Sequence, residues 1–141
     1  AFHACCAAVE MLRALNELNQ IRAARGEPAL ITGIGVNTGV LTAGGLGTAD
    51  RLNYTIIGDT VNSTQRLQES SREFGENGVV ISEYTLEALA GRRGQFRLMP
   101  LGEQSFKGKR ELIWLYRLMP VFDTERPTRP VRRVAEQVLE K

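Results

Sequence analysis

The sequence predicts an α+β domain, and three observations support this class. Apolar residues recur every three or four positions over residues 1–24, which indicates an amphipathic helix. Short runs of β-branched, aromatic and aliphatic residues follow, bounded by glycine, asparagine and proline, as is typical of strands. Two further helical segments lie between those runs, each beginning near a residue whose side chain can cap a helix. We therefore expect a sheet of short strands with helices packed on it.

The composition is that of an ordinary globular domain, and it argues against several kinds of function. The 141 residues are 43% hydrophobic and 24% charged, with a formal net charge of +2. This charge does not favour a nucleic-acid partner, and no run of 18 apolar residues is present that would span a membrane. His3 is the only histidine, so we expect neither a catalytic histidine nor a histidine-based metal site. Cys5 and Cys6 are adjacent and are expected to be reduced, which fits a cytoplasmic protein.

The first half of the chain is predicted to hold one helix and one hairpin. The helix over residues 1–24 is followed by Gly26, which is available for a left-handed cap. Residues 29–36 and 40–47 are apolar, glycine-rich runs, and a turn at 37–39 would join them in a β-hairpin. The glycines at 33, 35 and 39 do not have the G-x-G-x-x-G spacing, and no helix follows them, so a dinucleotide site is rejected.

The segment 53–67 is predicted to be the centre of the domain. Residues 54–57 favour a strand, Gly58 ends it, and Asp59 or Thr60 can cap the helix that follows. This strand, turn and helix would bring Thr55 of the strand to the same side as the polar face of the helix.

Two polar residues define that helix face. Asn62 and Arg66 are four residues apart, so they lie one turn apart on one side of the helix. The planar guanidinium of Arg66 suits phosphate oxygens, and the amide of Asn62 offers a donor and an acceptor to a sugar or phosphate. An Asn and an Arg at this spacing are more often a solvated face than a site, so the spacing alone does not decide between them.

The second half of the chain is predicted to complete the sheet. Residues 79–81 indicate a buried strand, and Ser82 is a good N-cap for a helix over residues 83–90 whose Leu86 and Leu89 face inward. Residues 96–101 predict a strand interrupted near Pro100. A basic turn, Lys107-Gly108-Lys109, precedes a last strand at 112–116. Residues 120–141 contain three prolines and are predicted to be a tail outside the domain.

The segment 53–62, which reads N-Y-T-I-I-G-D-T-V-N, together with Arg66 resembles the signature of class III nucleotide cyclases, the adenylate and guanylate cyclase catalytic domain. The resemblance extends upstream through G-I-G-V-N-T-G at 33–39 and downstream through V-I-S-E at 80–83. It continues through L-G-E at 101–103 and K-G-K at 107–109. Motifs in this order and spacing are highly specific. The resemblance covers residues 1 to about 119, so the domain is assigned to 1–119 and the tail to 120–141.

The resemblance implies a fold, a reaction and a partner. The fold is an α+β palm related to the ferredoxin-like βαββαβ unit, and the active sites lie at the interface of a head-to-tail homodimer. The reaction converts ATP or GTP to a 3′,5′-cyclic nucleotide and pyrophosphate by attack of the ribose 3′-oxygen on the α-phosphate. Two Mg²⁺ or Mn²⁺ ions assist that attack. The resemblance implies a role in signal transduction, with no nucleic-acid partner and no membrane contact from this segment.

The resemblance also assigns roles residue by residue. Asn62 would orient the ribose, and Arg66 would stabilise charge on the α-phosphoryl group in the transition state. Thr55 falls where the family reads the purine edge, and threonine there favours ATP, because guanylate cyclases tend to place cysteine. A lysine of the basic turn would contact the triphosphate; Lys109 is favoured over Lys107.

One departure from the family pattern limits these expectations. The family binds its metals through two aspartates, and both lie before the helix with which this chain starts, so we expect no metal ligand within the chain. The first strand and first hairpin of the family are absent as well. Together with the initial alanine, this predicts that the chain is a fragment that is inactive alone, exposes an apolar sheet edge and associates. The alternatives to an adenylate cyclase are a guanylate cyclase and a non-catalytic dimerisation or regulatory module that keeps the fold; an unrelated ferredoxin-like binding protein is remote.

Overall fold

The computed structural model describes residues 1–48, 51–71, 77–105 and 112–119. Its elements are helices and short strands, as the sequence predicts. In chain order they are α1 (Phe2–Ala24), β1 (Gly33–Val36), β2 (Thr42–Thr48), β3 (Arg51–Ile57), α2 (Asp59–Ser71), β4 (Gly78–Ser82), α3 (Glu83–Ala88), a 3₁₀-helix (Ala90–Gln95), β5 (Arg97–Ser105) and β6 (Leu112–Met119).

The described strands form two separate sheets. The larger sheet has the order β1-β4-β6-β5, in which β1 runs parallel to β4 and the other neighbours are antiparallel. The smaller sheet is the antiparallel pair of β2 and β3. Among the described strands β1 pairs with β4 alone, so its other edge carries no partner there. The last strand, β6, lies in the interior of the sheet rather than at its end.

The predicted hairpin between residues 29–36 and 40–47 is wrong. Instead, β1 pairs in parallel with the distant strand β4, from Gly33 opposite Gly78 to Val36 opposite Ile81. The second run, β2, pairs with β3, from Thr42 opposite Ile57 to Thr48 opposite Arg51. Local glycine and turn signals favour neighbours in sequence, whereas β1 pairs with a strand more than 40 residues further along the chain. A parallel pairing of this kind leaves no mark in the local pattern.

The hydrophobic core lies on both faces of the larger sheet, with β4 at its centre. All five residues of β4 are buried. Successive side chains of a strand point to opposite faces, so Val79 and Ile81 pack in one cluster with Cys5 of α1. Val80 packs in a second cluster with Leu67 of α2. The helices α1 and α3 therefore cover one face, and α2 covers the other.

The first helix matches its prediction in length and in its C-terminal cap. Gly26 has φ +70°, and the backbone N–H of Glu27 donates to the Arg22 carbonyl, so the helix ends in a left-handed turn. The predicted apolar stripe is buried only in its first half: Cys5 is buried, whereas Leu18 is 44% exposed. No helix in the described ranges is long and apolar enough to cross a membrane.

Glycines allow α2 to pack directly on β1. A Cβ atom on Gly35 would lie 2.6 Å from the backbone nitrogen of Gln68 and 2.8 Å from the carbonyl oxygen of Thr64. Real side chains do not tolerate such distances to backbone atoms, so only glycine permits this approach. The G-I-G segment of β1 therefore allows the close packing of α2 on the strand.

The second half of the chain follows the predicted order with shifted ends. The Ser82 hydroxyl accepts a hydrogen bond from the Thr85 backbone N–H, which confirms the N-cap, but α3 ends at Ala88. Leu89 is buried and Leu86 packs against the same cluster, as predicted. The strand β5 extends to Ser105, and its register against β6 shifts between Pro100 and Gly102, at the predicted interruption.

Candidate functional site

The junction of β3 and α2 has the strand-turn-helix form that the sequence predicts. Gly58 separates the two elements with φ +142°, a backbone conformation that favours glycine. The helix begins at Asp59, whose carboxylate in the first turn is favourable to the helix dipole. The backbone N–H groups of Val61 and Asn62 both donate to the Gly58 carbonyl. The hydroxyl of Thr60 donates to the Val40 carbonyl at 2.7 Å, so Thr60 ties α2 to the chain before β2 rather than capping the helix.

The structure places Asn62 and Arg66 on consecutive turns of α2. The Asn62 side chain is exposed and that of Arg66 is half-buried. Leu67, the residue after Arg66, is fully buried against β4 and β6. Because Leu67 anchors that turn in the core, the orientation of the polar face of α2 is set by packing.

Thr55 lies on β3, three residues before the glycine that precedes α2. It pairs with Gly44 of β2 and is half-buried. The helix α2 packs on β1 and β4 and also contacts β3. The element that carries Thr55 is thus joined directly to the element that carries Asn62 and Arg66.

The chemistry of these three side chains suits an anionic, sugar-bearing ligand. A guanidinium is always charged at neutral pH and donates in a planar fork to phosphate oxygens. A carboxamide both donates and accepts, as a ribose hydroxyl requires, and a threonine hydroxyl does the same for the edge of a base. The two predicted lysines, Lys107 and Lys109, lie outside the described residues, so their role stays a prediction.

No metal-binding cluster is found in the described residues. None of their His, Cys, Asp and Glu side chains come together in a group of three or more. Asp59 is accounted for by its position in the first turn of α2. The part of the chain that the structure describes therefore does not fit a two-metal centre by itself.

A cluster of polar side chains at the start of α2 was missed by the sequence reasoning. It joins the loop after β1 to the first turns of α2 and α3. Its side chains are those of Asn37, Thr38, Ser82 and Thr85, and Asn37 connects them to the backbone carbonyl of Thr60. The sequence instead predicts a hairpin turn at residues 37–39. The available signal was the polar N-T-G sequence directly after a glycine-rich strand.

Comparison with known protein families identifies the class to which this α+β domain belongs. Residues 1–119 match the family described as the adenylate and guanylate cyclase catalytic domain. The chain therefore belongs to this family, and the resemblance given by its motifs is confirmed.

Individual relatives agree with that assignment. The chain is 32% identical over 121 residues to adenylate cyclase 1 of Rhizobium meliloti (strain 1021), a match that covers 86% of this chain and 18% of that protein. It is also similar to the crystal structure of the adenylyl cyclase CyaB from P. aeruginosa, with a TM-score of 0.68 and 27% identity, over 79% of this chain and 54% of that one. The guanylyl cyclase Cya2 gives a TM-score of 0.65 and 30% identity, over 83% of this chain and 56% of that one. The chain thus spans about half of these solved domains and less than a fifth of the curated relative.

Proposed function

We propose that this chain is part of an adenylate cyclase, which converts ATP to 3′,5′-cyclic AMP and pyrophosphate. The observation that carries the proposal is the β3–α2 junction, where Thr55, Asn62 and Arg66 occupy the family's motif positions on two directly connected elements. A descendant that kept only the fold would have no need of all three side chains. The proposal therefore favours an enzyme over a non-catalytic module.

The proposed roles follow from the chemistry of each side chain. Asn62 binds the ribose and holds its 3′-oxygen in line with the α-phosphate. This orientation lowers the entropic part of the activation barrier. Arg66 donates to the oxygens of the α-phosphoryl group, on which charge develops as the new bond forms and pyrophosphate leaves. Thr55 bonds to the purine edge. None of these steps requires a proton transfer by the three residues.

The divalent ions that the family uses supply charge neutralisation and activation of the attacking oxygen. Since the described residues hold no group of three metal-ligating side chains, we place no step of the reaction on a metal site within them. The ligands of the two Mg²⁺ or Mn²⁺ ions are proposed to lie outside the described residues.

We also propose that the chain forms a homodimer, because the sheet of β2 and β3 exposes large apolar side chains. Apolar and aromatic side chains of β2, β3 and the preceding loop are largely exposed: Val40 is 92%, Tyr54 80% and Leu52 69% exposed. Clustered exposure of large apolar side chains is typical of interaction surfaces. We call the exposed side chains of Leu52, Tyr54 and Ile56, which alternate along one side of β3, the hairpin face. We propose that it packs against a second copy of the chain.

The base preference is tested by cyclic nucleotide formation from ATP or GTP with Mn²⁺, using the full-length gene product. Thr55→Val removes the hydroxyl at nearly constant volume, and Thr55→Ser keeps it as a control. We expect ATP to be the better substrate. Loss of one uncharged hydrogen bond, about 0.5–1.5 kcal/mol, should lower kcat/KM for ATP up to roughly tenfold in Thr55→Val and far less in Thr55→Ser.

A second candidate, guanylate cyclase activity, is favoured by the similarity to the guanylyl cyclase Cya2. Preferential turnover of GTP would establish it and overturn the ATP assignment. Absence of product from both nucleotides would favour the regulatory module instead.

A further inference from the structure

The polar cluster at the start of α2 sits where two parallel strands end. Asn37 directly follows β1 and Ser82 is the last residue of β4, and the carboxyl ends of these parallel neighbours lie side by side. Ser82 and Thr85 are fully buried. The described part of the chain leaves no buried side-chain nitrogen or oxygen without a hydrogen-bond partner. Polar side chains in such a place are held in defined orientations, because a lost bond there would leave a desolvated group unpaired.

The hydrogen bonds fix the orientation of the Asn37 amide. The backbone N–H of Thr38 donates to Asn37 Oδ1 at 3.0 Å. The Ser82 hydroxyl donates to the same oxygen at 2.6 Å, because an amide oxygen can only accept. The Ser82 hydroxyl also accepts from the Thr85 N–H at 3.2 Å. A backbone N–H can only donate, so the amide atom that it meets is the oxygen. The amide nitrogen of Asn37 must therefore face the other way.

That nitrogen faces the first turn of α2. Asn37 Nδ2 donates to the Thr60 carbonyl at 3.2 Å. The same carbonyl accepts from the Thr64 hydroxyl at 2.7 Å. Asn37 thus connects the α3 cap to the start of α2, two residues before Asn62. The side chain of Asn37 therefore bonds both to the N-cap residue of α3 and to the first turn of α2.

We infer that Asn37 is a positioning residue for the cyclase reaction, one that sets the place of the first turn of α2 and hence of Asn62 and Arg66. This inference rests on the proposed function. In this role Asn37 does not touch the substrate. It acts on α2 through its hydrogen bond to the Thr60 carbonyl. A displacement of about 1 Å of groups that position a substrate costs up to roughly a hundredfold in rate. Loss of the hydrogen bond between Asn37 and the Thr60 carbonyl should therefore lower the rate measurably.

Asn37→Asp separates positioning from general stability. The substitution keeps an oxygen for Ser82 and Thr38, but it replaces the donor that meets the Thr60 carbonyl with a second acceptor, and two acceptors repel. Thr85→Val is the matched control: Thr85 lies in the same buried cluster and donates to the Val36 carbonyl at 3.1 Å, but it makes no bond to α2 in the described structure.

Two measurements are made on these variants. The first is kcat and KM for ATP of the full-length gene product, below the unfolding midpoint of every variant. Asn37→Asp should lower kcat about tenfold to a hundredfold and change KM less than about threefold, whereas Thr85→Val should lower the unfolding midpoint and keep kcat within about twofold. The second is amide hydrogen exchange of residues 59–64, which should accelerate in Asn37→Asp and not in Thr85→Val. If Asn37→Asp does not fold, Asn37→Ala, which removes all three side-chain hydrogen bonds without adding a charge, takes its place.

The outcomes are distinguishable. Equal losses of stability in both variants, with wild-type kcat and unchanged exchange at α2, would overturn the inference and leave the proposed function intact. A wild-type protein that makes no cyclic nucleotide would overturn the proposed function and with it any catalytic role for Asn37. Faster exchange at α2 in that case would show that Asn37 anchors the helix for another purpose.

Discussion

A Cβ atom on Gly35 of β1 would lie 2.6 Å from the backbone nitrogen of Gln68 in α2. The helix that carries Asn62 and Arg66 therefore rests on the strand at backbone contact, without an intervening side chain. Helix and strand cannot shift relative to each other without losing the close approach, so the site's main helix is held by the glycine as well as by Asn37.

Gly35→Ala is expected to destabilise the fold by about 1–3 kcal/mol, because the added methyl group overpacks a contact with backbone atoms that cannot rotate away. Gly44→Ala in β2 is the control, since a Cβ there meets nothing within 4 Å, and its stability should be unchanged or raised by less than about 1 kcal/mol. Urea unfolding followed by circular dichroism measures both. Equal stability of the two variants would show that α2 does not need the close approach.

Ser82→Ala should destabilise the protein by about 1–3 kcal/mol. It removes the N-cap of α3 and also the hydroxyl that donates to Asn37 Oδ1, and each loss is worth about 1 kcal/mol. Ser105→Ala, at the exposed end of β5, should stay within about 0.5 kcal/mol of the wild type. Thermal unfolding reads out the difference. A shift in midpoint as small for Ser82→Ala as for Ser105→Ala would mean that the cap contributes little.

Tyr54→Glu should weaken self-association at least tenfold, since it places a charge in the hairpin face, where Tyr54 is 80% exposed. The fold should be retained, because the side chain is not part of either core cluster. Met11→Glu, at a residue of α1 that is 60% exposed, is the control and should associate like the wild type. Sedimentation velocity over a range of concentrations measures the effect. An unchanged association constant for Tyr54→Glu would exclude the hairpin face as the dimer contact.

The two adjacent cysteines should differ in reactivity. Cys5 is fully buried, and burial raises the pKa of its thiol, so at pH 8 the reactive thiolate fraction is smaller than for an ordinary cysteine. Cys6 is only half-buried. Iodoacetamide should therefore modify Cys6 first and Cys5 only after denaturant is added, as measured by mass spectrometry. A Cys6→Ser variant that is alkylated rapidly without denaturant would contradict the burial of Cys5.

The elements with local signals were predicted well from the sequence. The Ser82 cap, the left-handed Gly26 and the break at Gly58 each depend on one residue type at one position, so a single sequence contains the information. The family assignment depended on the same kind of local motif. The roles of Asn62, Arg66 and Thr55 remain predictions that rest on that motif and on the connection of β3 to α2.

The features that could not be predicted from the sequence depend on contacts between residues far apart in the chain. The partner of β1 is β4, and nothing near residue 33 identifies it, so the hairpin prediction failed. The role of Asn37 was missed for the same reason, because Ser82 is 45 residues away and the N-T-G sequence is equally typical of a turn. The exposure of the hairpin face likewise follows from β2 and β3 forming a sheet of their own.

If Arg66 stabilises the transition state of cyclic AMP formation, the rate of that reaction must fall when Arg66 is replaced. We would measure this rate in Arg66 variants of the full-length gene product. Arg13→Ala, at an exposed position of α1, is the control for loss of a positive charge, and circular dichroism confirms folding. We predict a loss of roughly a hundredfold or more in kcat for Arg66→Ala. Arg66→Lys should recover part of the rate, because it keeps the charge but not the planar fork, and Arg13→Ala should show wild-type activity. An Arg66→Ala variant that forms cyclic AMP at the wild-type rate would exclude this role for Arg66.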